Sequence, residues 1–152
     1  LSAAGCRTTS SSIAKKRMKD SFFDSNVLLY LALGDPGKAA TTEHLVSQGG
    51  RISVQVLNEI ANVTRRKYLK PWDEVNSFLE LVRSILDVIP LTVDIHERGL
   101  LLTERYRLSV YDGMVVAAAL ATSCETLWSE DMQHGLLVEG QLRIQNPFAD
   151  PR

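Results

Sequence analysis

Short apolar runs, each closed by a polar or acidic residue and followed by a stretch of helical spacing, are the feature that most restricts what this chain can fold into. Ser21-Phe22-Phe23 runs into Asp24-Ser25-Asn26, residues 51–54 (RISV) run into helical spacing over 55–68, and residues 125–128 run into Ser129-Glu130-Asp131. Between them, residues 38–48, 71–89, 94–107 and 111–122 are read as helices, most of them carrying apolar side chains at the three- and four-residue intervals of a helix face. Strands that alternate with helices pair in parallel, because each helical crossover brings the chain back to start the next strand from the same edge. The expected fold is therefore α/β: a three-layer α/β/α sandwich with a central, mostly parallel sheet.

Local signals refine that outline. The apolar stretch 27–33 is stopped by Gly34-Asp35-Pro36-Gly37. Pro71 suits the first turn of the longest helix, and Pro90 ends it. Residues 91–93 then read as a short strand, with Asp94 capping the helix that follows. Residues 141–145 read as a last, edge strand. Trp72, Phe78 and Leu79 suit the core first and a partner groove as the alternative, and Cys124 is expected as a small buried residue. Gly113 interrupts a helical pattern at a cost near 1 kcal/mol relative to Ala; a close approach of the helix to a metal or substrate would account for it.

Size and composition exclude several classes. The chain has 152 residues, 45% hydrophobic and 23% charged, which suits one domain with a real core. No apolar stretch approaches the ~20 residues that cross a bilayer. Two cysteines and three scattered histidines cannot supply a disulfide scaffold or a conventional zinc site. Lys and Arg total 17 against 18 Asp and Glu; residues 1–17 hold Arg7, Lys15, Lys16 and Arg17 and no acid, leaving 13 basic against 18 acidic in the remainder. A protein with a broad nucleic-acid-binding face usually carries the opposite sign. Residues 1–17 are Ser-rich and lack helical periodicity or a secretory apolar core. They read as an N-terminal extension outside the fold, either appended sequence ahead of a natural start at Met18 or an organelle transit segment, with residues 18–152 forming the domain.

The acidic excess has a place to act. Ligands of open α/β sheets bind beyond the carboxyl ends of the strands. Asp24 follows the first strand, Asp131 follows the strand ending at Trp128, Glu59 lies early in the helix after RISV, and Asp112 opens the alanine-rich helix. Each also has a local structural explanation. Asp24-Ser25-Asn26 is a candidate Asx-turn and helix cap, Ser109 and Asp112 fit a capping box, Glu59 suits a solvated helix face, and Ser129-Glu130-Asp131 a polar turn. None of these explains why all four acids fall at one sheet edge. Like charges ~4 Å apart repel by roughly 4 kcal/mol at an effective dielectric near 20, so such a set needs protons or a cation. Oxygen ligands with no His or Cys point to Mg2+ or Mn2+, which serve phosphate chemistry.

The segments FFDSNVLLYLAL (22–33), SVQVLNEI (53–60), LSVYDGMVVAAAL (108–120) and LWSEDMQHG (127–135) together resemble the PIN-domain ribonucleases, and within them the VapC toxins of bacterial toxin–antitoxin pairs. The resemblance spans nearly all of residues 18–148. It implies a PIN-like sandwich and a Mg2+- or Mn2+-dependent endoribonuclease of the bacterial or archaeal cytoplasm, with an RNA substrate, a small antitoxin partner and a homodimer. By motif position it implies Asp24, Glu59, Asp112 and Asp131 as the catalytic, metal-holding acids, with Asn26 and Ser129 supporting them. No acid stands at Met132-Gln133-His134, where some members carry one.

Arg65, Arg66 and Lys67, beside Tyr68, form the dense basic cluster of the folded part and are candidate RNA contacts, with a solvated helix end as the structural alternative. His134 is read as a loop residue that could reach substrate, and His44 and His96 as surface residues. Competing functions remain. An aspartyl-phosphate phosphatase needs a second Asp where Asn26 stands, and both it and a phosphoacceptor receiver need a lysine beyond Lys70, where there is none. A stand-alone RNA-processing nuclease and an inactive PIN-like partner-binding scaffold are the alternatives within the family.

Overall fold

The computed structural model describes residues 20–150; the N-terminal extension read over residues 1–17 lies outside them. The chain runs β1 (Ser21–Phe23), α1 (Ser25–Leu28) with a 3-10 turn (Leu29–Leu31), α2 (Pro36–Ser47), β2 (Arg51–Ser53), α3 (Val54–Arg66), α4 (Trp72–Ile85), β3 (Asp87–Ile89), α5 (Val93–Tyr106), α6 (Val110–Ala121), β4 (Thr126–Trp128), β5 (Leu137–Val138) and β6 (Leu142–Gln145). The strands form one sheet in the order β3-β2-β1-β4-β6-β5. All pairings are parallel except β5 with β6. This is the expected α/β sandwich with a central, mostly parallel sheet.

β1 and β4 occupy the middle, in register from Ser21 opposite Thr126 to Phe23 opposite Trp128. Both faces of this centre are covered, so Phe22, Phe23 and Leu127 are all fully buried. Each such side chain contributes about 1.5–3 kcal/mol relative to exposure. The order reverses at β1: the chain goes to β2 on one side and returns to β4 on the other. Such a switch point opens a crevice at the strands' carboxyl ends.

Several boundaries differ from the sequence reading. The helix expected over 71–89 ends at Ile85, Leu86 is extended, and Asp87–Ile89 is strand β3 against β2. The strand expected at 91–93 is absent; Thr92 caps α5 by accepting from the Ile95 N–H at 3.1 Å, and Asp94 lies in the first turn instead of at the cap. β6 is not the edge, because β5 pairs outside it. Asp35-Pro36 starts α2 as well as stopping the preceding segment: the Asp35 carboxylate accepts from the N–H groups of Gly37 and Lys38. Trp72 is 58% exposed and lies outside the core, whereas Phe78 and Cys124 are buried as expected. Among the described residues no helix is long and apolar enough to cross a membrane.

Gly113 has an explanation different from the expected approach to metal or substrate. A Cβ there would collide with Thr103 Oγ1 and lie 2.5 Å from the Gly99 carbonyl oxygen, and one at Gly99 would lie 2.8 Å from Met114 Sδ. The glycines let α5 and α6 cross almost backbone to backbone, which sets the start of α6, and Asp112 with it. Gly113→Ala is therefore expected to lower stability by about 2 kcal/mol or more through overpacking, although alanine is the better helix former. Urea unfolding of the two proteins measures this; equal midpoints would contradict the close crossing.

Candidate active site

The crevice at the switch point is built from the ends of β1 and β4 and the first turns of α1, α3 and α6. β1 ends at Asp24, whose N–H still reaches across the sheet to Trp128 O (2.9 Å). There the backbone leaves the sheet to start α1, and the Asp24 carboxylate caps the helix, Oδ1 accepting from the Ser25 N–H at 2.8 Å. β4 ends at Ser129, whose N–H donates to Gln145 O (2.9 Å). The fully buried Ser129 hydroxyl donates to Asp24 Oδ2 at 2.8 Å and accepts from the Met132 N–H at 3.3 Å. One side chain thus joins the two strand ends and holds the turn that carries Asp131.

Asn26 completes this join. Its amide nitrogen lies 3.2 Å from both Asp24 Oδ2 and Asp131 Oδ2, and its carbonyl oxygen accepts from the Glu130 N–H at 3.0 Å. Glu59 enters from the second turn of α3, a helix capped by buried Ser53, which accepts from the Val56 N–H. Its carboxylate accepts from Ser25 Oγ at 2.9 Å and from the Gln55 amide at 3.3 Å. Asp112 enters from the first turn of α6, where its N–H donates to the Ser109 cap at 3.1 Å. The capping reading of Ser109 thus holds alongside the position of Asp112 in the site.

Asp24, Glu59, Asp112 and Asp131, all expected from the sequence, line one open cavity of about 350 Å3. Their charges are felt across it. Asp24 is 2% exposed, and its pKa is pushed up to about 7; burial is the main cause, the charges of Glu59 and Asp112 add to it, and the bonds from Ser129 and Ser25 oppose it. Asp112 is also raised, first by burial, with the Ser109 bond opposing and the charge of Asp131 adding. Among the described residues no three His, Cys, Asp or Glu side chains are grouped closely enough to hold a metal ion by themselves. The donors are all hard oxygens around an open space of several waters' volume. They fit a hydrated cation such as Mg2+, which keeps several of its waters, better than an ion enclosed by protein alone.

The sequence reading missed a fifth acid. Glu130 lines the same cavity, accepting from Tyr30 OH at 2.7 Å and from Lys38 Nζ at 2.6 Å. Its place inside Ser129-Glu130-Asp131 was visible, but its partners come from α2 and the preceding turn, and no local spacing announces them. The basic cluster divides. Lys67 and Tyr68 line the cavity. Arg65 stacks 5.2 Å over Trp72 and donates to Lys70 O, and Arg66 is exposed outside the lining. His134 accepts the Asn146 N–H at 2.9 Å and so braces its own loop.

The PIN domain sequence profile matches residues 21–135. The chain belongs to the PIN domain family. Solved structures similar to this PIN domain include a toxin–antitoxin complex from Klebsiella pneumoniae (21% identity, TM-score 0.64, covering 84% of this chain and 98% of that one). The sarcin–ricin-loop-cleaving toxin VapC20 of Mycobacterium tuberculosis is similar at 17% identity and TM-score 0.61, covering 73% and 89%. VapBC2 of Rickettsia felis, bound to a fragment of its promoter DNA, is similar at 18% and 0.60, covering 83% and 97%. No curated protein matches the chain. These likenesses agree with the PIN sandwich described above.

The raised Asp24 pKa has a thermodynamic consequence. Between the ordinary value of 3.8 and about 7 the folded protein keeps a proton that the unfolded chain has lost. Its stabilising effect is fully present below the ordinary value and disappears as pH rises through about 7. In chelator, wild-type PIN domain is expected to lose a few kcal/mol between pH ~4 and ~8 that Asp24→Asn does not lose. Denaturant midpoints across that range check this, and parallel profiles for the two proteins would contradict it.

Proposed function

We propose that this PIN domain is a Mg2+- or Mn2+-dependent endoribonuclease and the toxin of a type II toxin–antitoxin pair, acting in the cytoplasm of a bacterium or archaeon. The observation that carries the reading is the buried Asp24 carboxylate, fixed by Ser129 and Asn26 in a cavity it shares with Glu59, Asp112 and Asp131. Asp24, Asp112 and Asp131 would hold the cation, directly or through water, and Glu59 would ligate it or orient the attacking water. When bound, the cation lowers the pKa of a water and neutralises charge developing on the phosphate. Ser129 and Asn26 keep the acids in place, and Ser25 and Gln55 do the same for Glu59. In-line attack by water breaks the bond to the 3′ oxygen and leaves a 5′-phosphate and a 3′-hydroxyl. Lys67 and Tyr68, on the cavity wall, supply a cation for the RNA backbone and a ring for a base.

The partner readings follow from the same chemistry. An antitoxin that inserts an Arg or Lys would satisfy the clustered carboxylates in place of metal. A stripe on α5, Val93 (71% exposed), Leu100 and Leu101 (69% exposed), supports the homodimer.

Two outcomes are expected. Asp24→Asn and Asp112→Asn should lower metal-dependent RNA cleavage by at least about a hundredfold while the circular dichroism of the fold persists; cleavage by folded Asp24→Asn at the wild-type rate would contradict the assignment. Ser129→Ala removes the bond that stabilises ionised Asp24. It should raise the metal concentration needed for half-maximal cleavage by about 10–100-fold, and an unchanged metal requirement would count against Ser129 as a support for the site.

A further inference from the structure

A second cavity, of about 240 Å3, opens on the other side of α3 from the Lys67–Tyr68 wall. Gln55, Asn58, Glu59, Asn62 and Tyr111 line it. Glu59 lines both cavities, so the second one continues directly from the acidic site. Its composition differs from the first. Gln55, Asn58 and Asn62 fall three and four residues apart and therefore share one face of α3. They place carboxamides along a strip of the helix beside Glu59. Tyr111, 64% exposed, stands on the opposite wall at the start of α6, next to Asp112. Asn58 and Asn62 are exposed, so their amides face the groove without a role in holding the fold, and Gln55 spends its amide nitrogen on Glu59 at 3.3 Å.

Neutral amides beside an aromatic ring suit one ligand chemistry better than others. A phosphate would call for cations, and the groove lining has none. A carboxamide offers a donor and an acceptor side by side, which is the pattern that pairs with the edge of a nucleobase. An exposed tyrosine offers a face on which an unpaired base stacks. We propose that this groove binds the nucleobase flanking the scissile phosphate, with Asn58 and Asn62 reading its edge and Tyr111 stacking on its ring. The proposal rests on the nuclease reading and adds to it a specificity site that adjoins the acids and shares only Glu59 with them. A strand crossing the molecule then has the Lys67–Tyr68 wall on one side of the cut and the amide groove on the other. The base must be unpaired to enter, so paired RNA is excluded at that position.

The test uses the full chain and two readouts. First, a pool of short single-stranded oligoribonucleotides randomised around the cut is digested with Mn2+, and the new ends are sequenced. Wild type should show a base preference at a position flanking the cut. Asn58→Ala, Asn62→Ala and Tyr111→Ala should flatten it by about tenfold, the discrimination of one good side-chain-to-base pair, while preferences at other positions persist. Second, fluorescence anisotropy with Ca2+ replacing Mn2+ measures affinity for four oligoribonucleotides that differ only at that position, independently of cutting. Cutting without a flanking preference, or a preference that survives all three substitutions, would overturn the groove and leave the nuclease standing. Discrimination in binding without any cutting would uphold the groove and remove the nuclease. Substitutions that change the molecular mass in solution, or the affinity for a co-expressed antitoxin, and leave base preference alone would make the groove a protein interface and overturn the proposal.

Discussion

A carboxylate buried where two central strands end is the constraint around which the rest of this site is arranged. Asp24 cannot leave its position, because its N–H completes the β1–β4 ladder at Trp128 and its side chain caps the helix that follows. Nor can it shed its polarity, so neighbouring donors satisfy it: the Ser129 hydroxyl on one oxygen, the Ser25 backbone N–H on the other, and the Asn26 amide between Asp24 and Asp131. Among the described residues every buried side-chain nitrogen or oxygen has a partner, which is what a buried polar network requires if it is not to be worse than an apolar core.

That arrangement concentrates charge. Asp24 feels Glu59 and Asp112, and Asp112 feels Asp131. Glu130 would add to the repulsion if it were unpaired, but Lys38 and Tyr30 hold it. Tyr30 is braced in turn by the edge of Phe148, with ring centroids 5.1 Å apart. The negative balance of the folded part thus has a local meaning. On the proposed nuclease reading, a site that holds a cation and admits an RNA phosphate is served by few basic residues: Lys67 lies on the cavity wall, and Lys38 is locked to Glu130.

The sheet and the acids were legible in the sequence because both depend on local order: an apolar strand, then an acid at the point where the chain must turn into a helix. What was not legible depends on tertiary contacts. Asp87-Val88-Ile89 continues the apolar spacing of α4, so periodicity alone cannot separate strand from helix; the separation comes from pairing with β2, where the Asp87 N–H reaches Gly50 O at 3.0 Å. Thr92 displaced Asp94 as the cap of α5 because Thr92 is the extended residue at which the chain turns into the helix, which puts its hydroxyl in line with the Ile95 N–H. Gly113 was noticed for the right reason, its helix cost, but the neighbour it accommodates is the preceding helix α5, at Gly99 and Thr103, which comes into contact only after folding. Glu130 escaped notice for the same reason: its partners Tyr30 and Lys38 lie far back in the chain.

The central claim is that Asp24 must ionise for the cluster to hold a divalent cation. Calorimetric titration with Mn2+ in buffers of different ionisation enthalpy tests it most directly, since it reads affinity and proton release together. With Asp24 raised to about 7, Mn2+ binding below that pH should release close to one proton, and affinity should climb by about tenfold per pH unit before levelling off above it. An affinity independent of pH across that range, or binding that releases no proton on its acid side, would contradict the account.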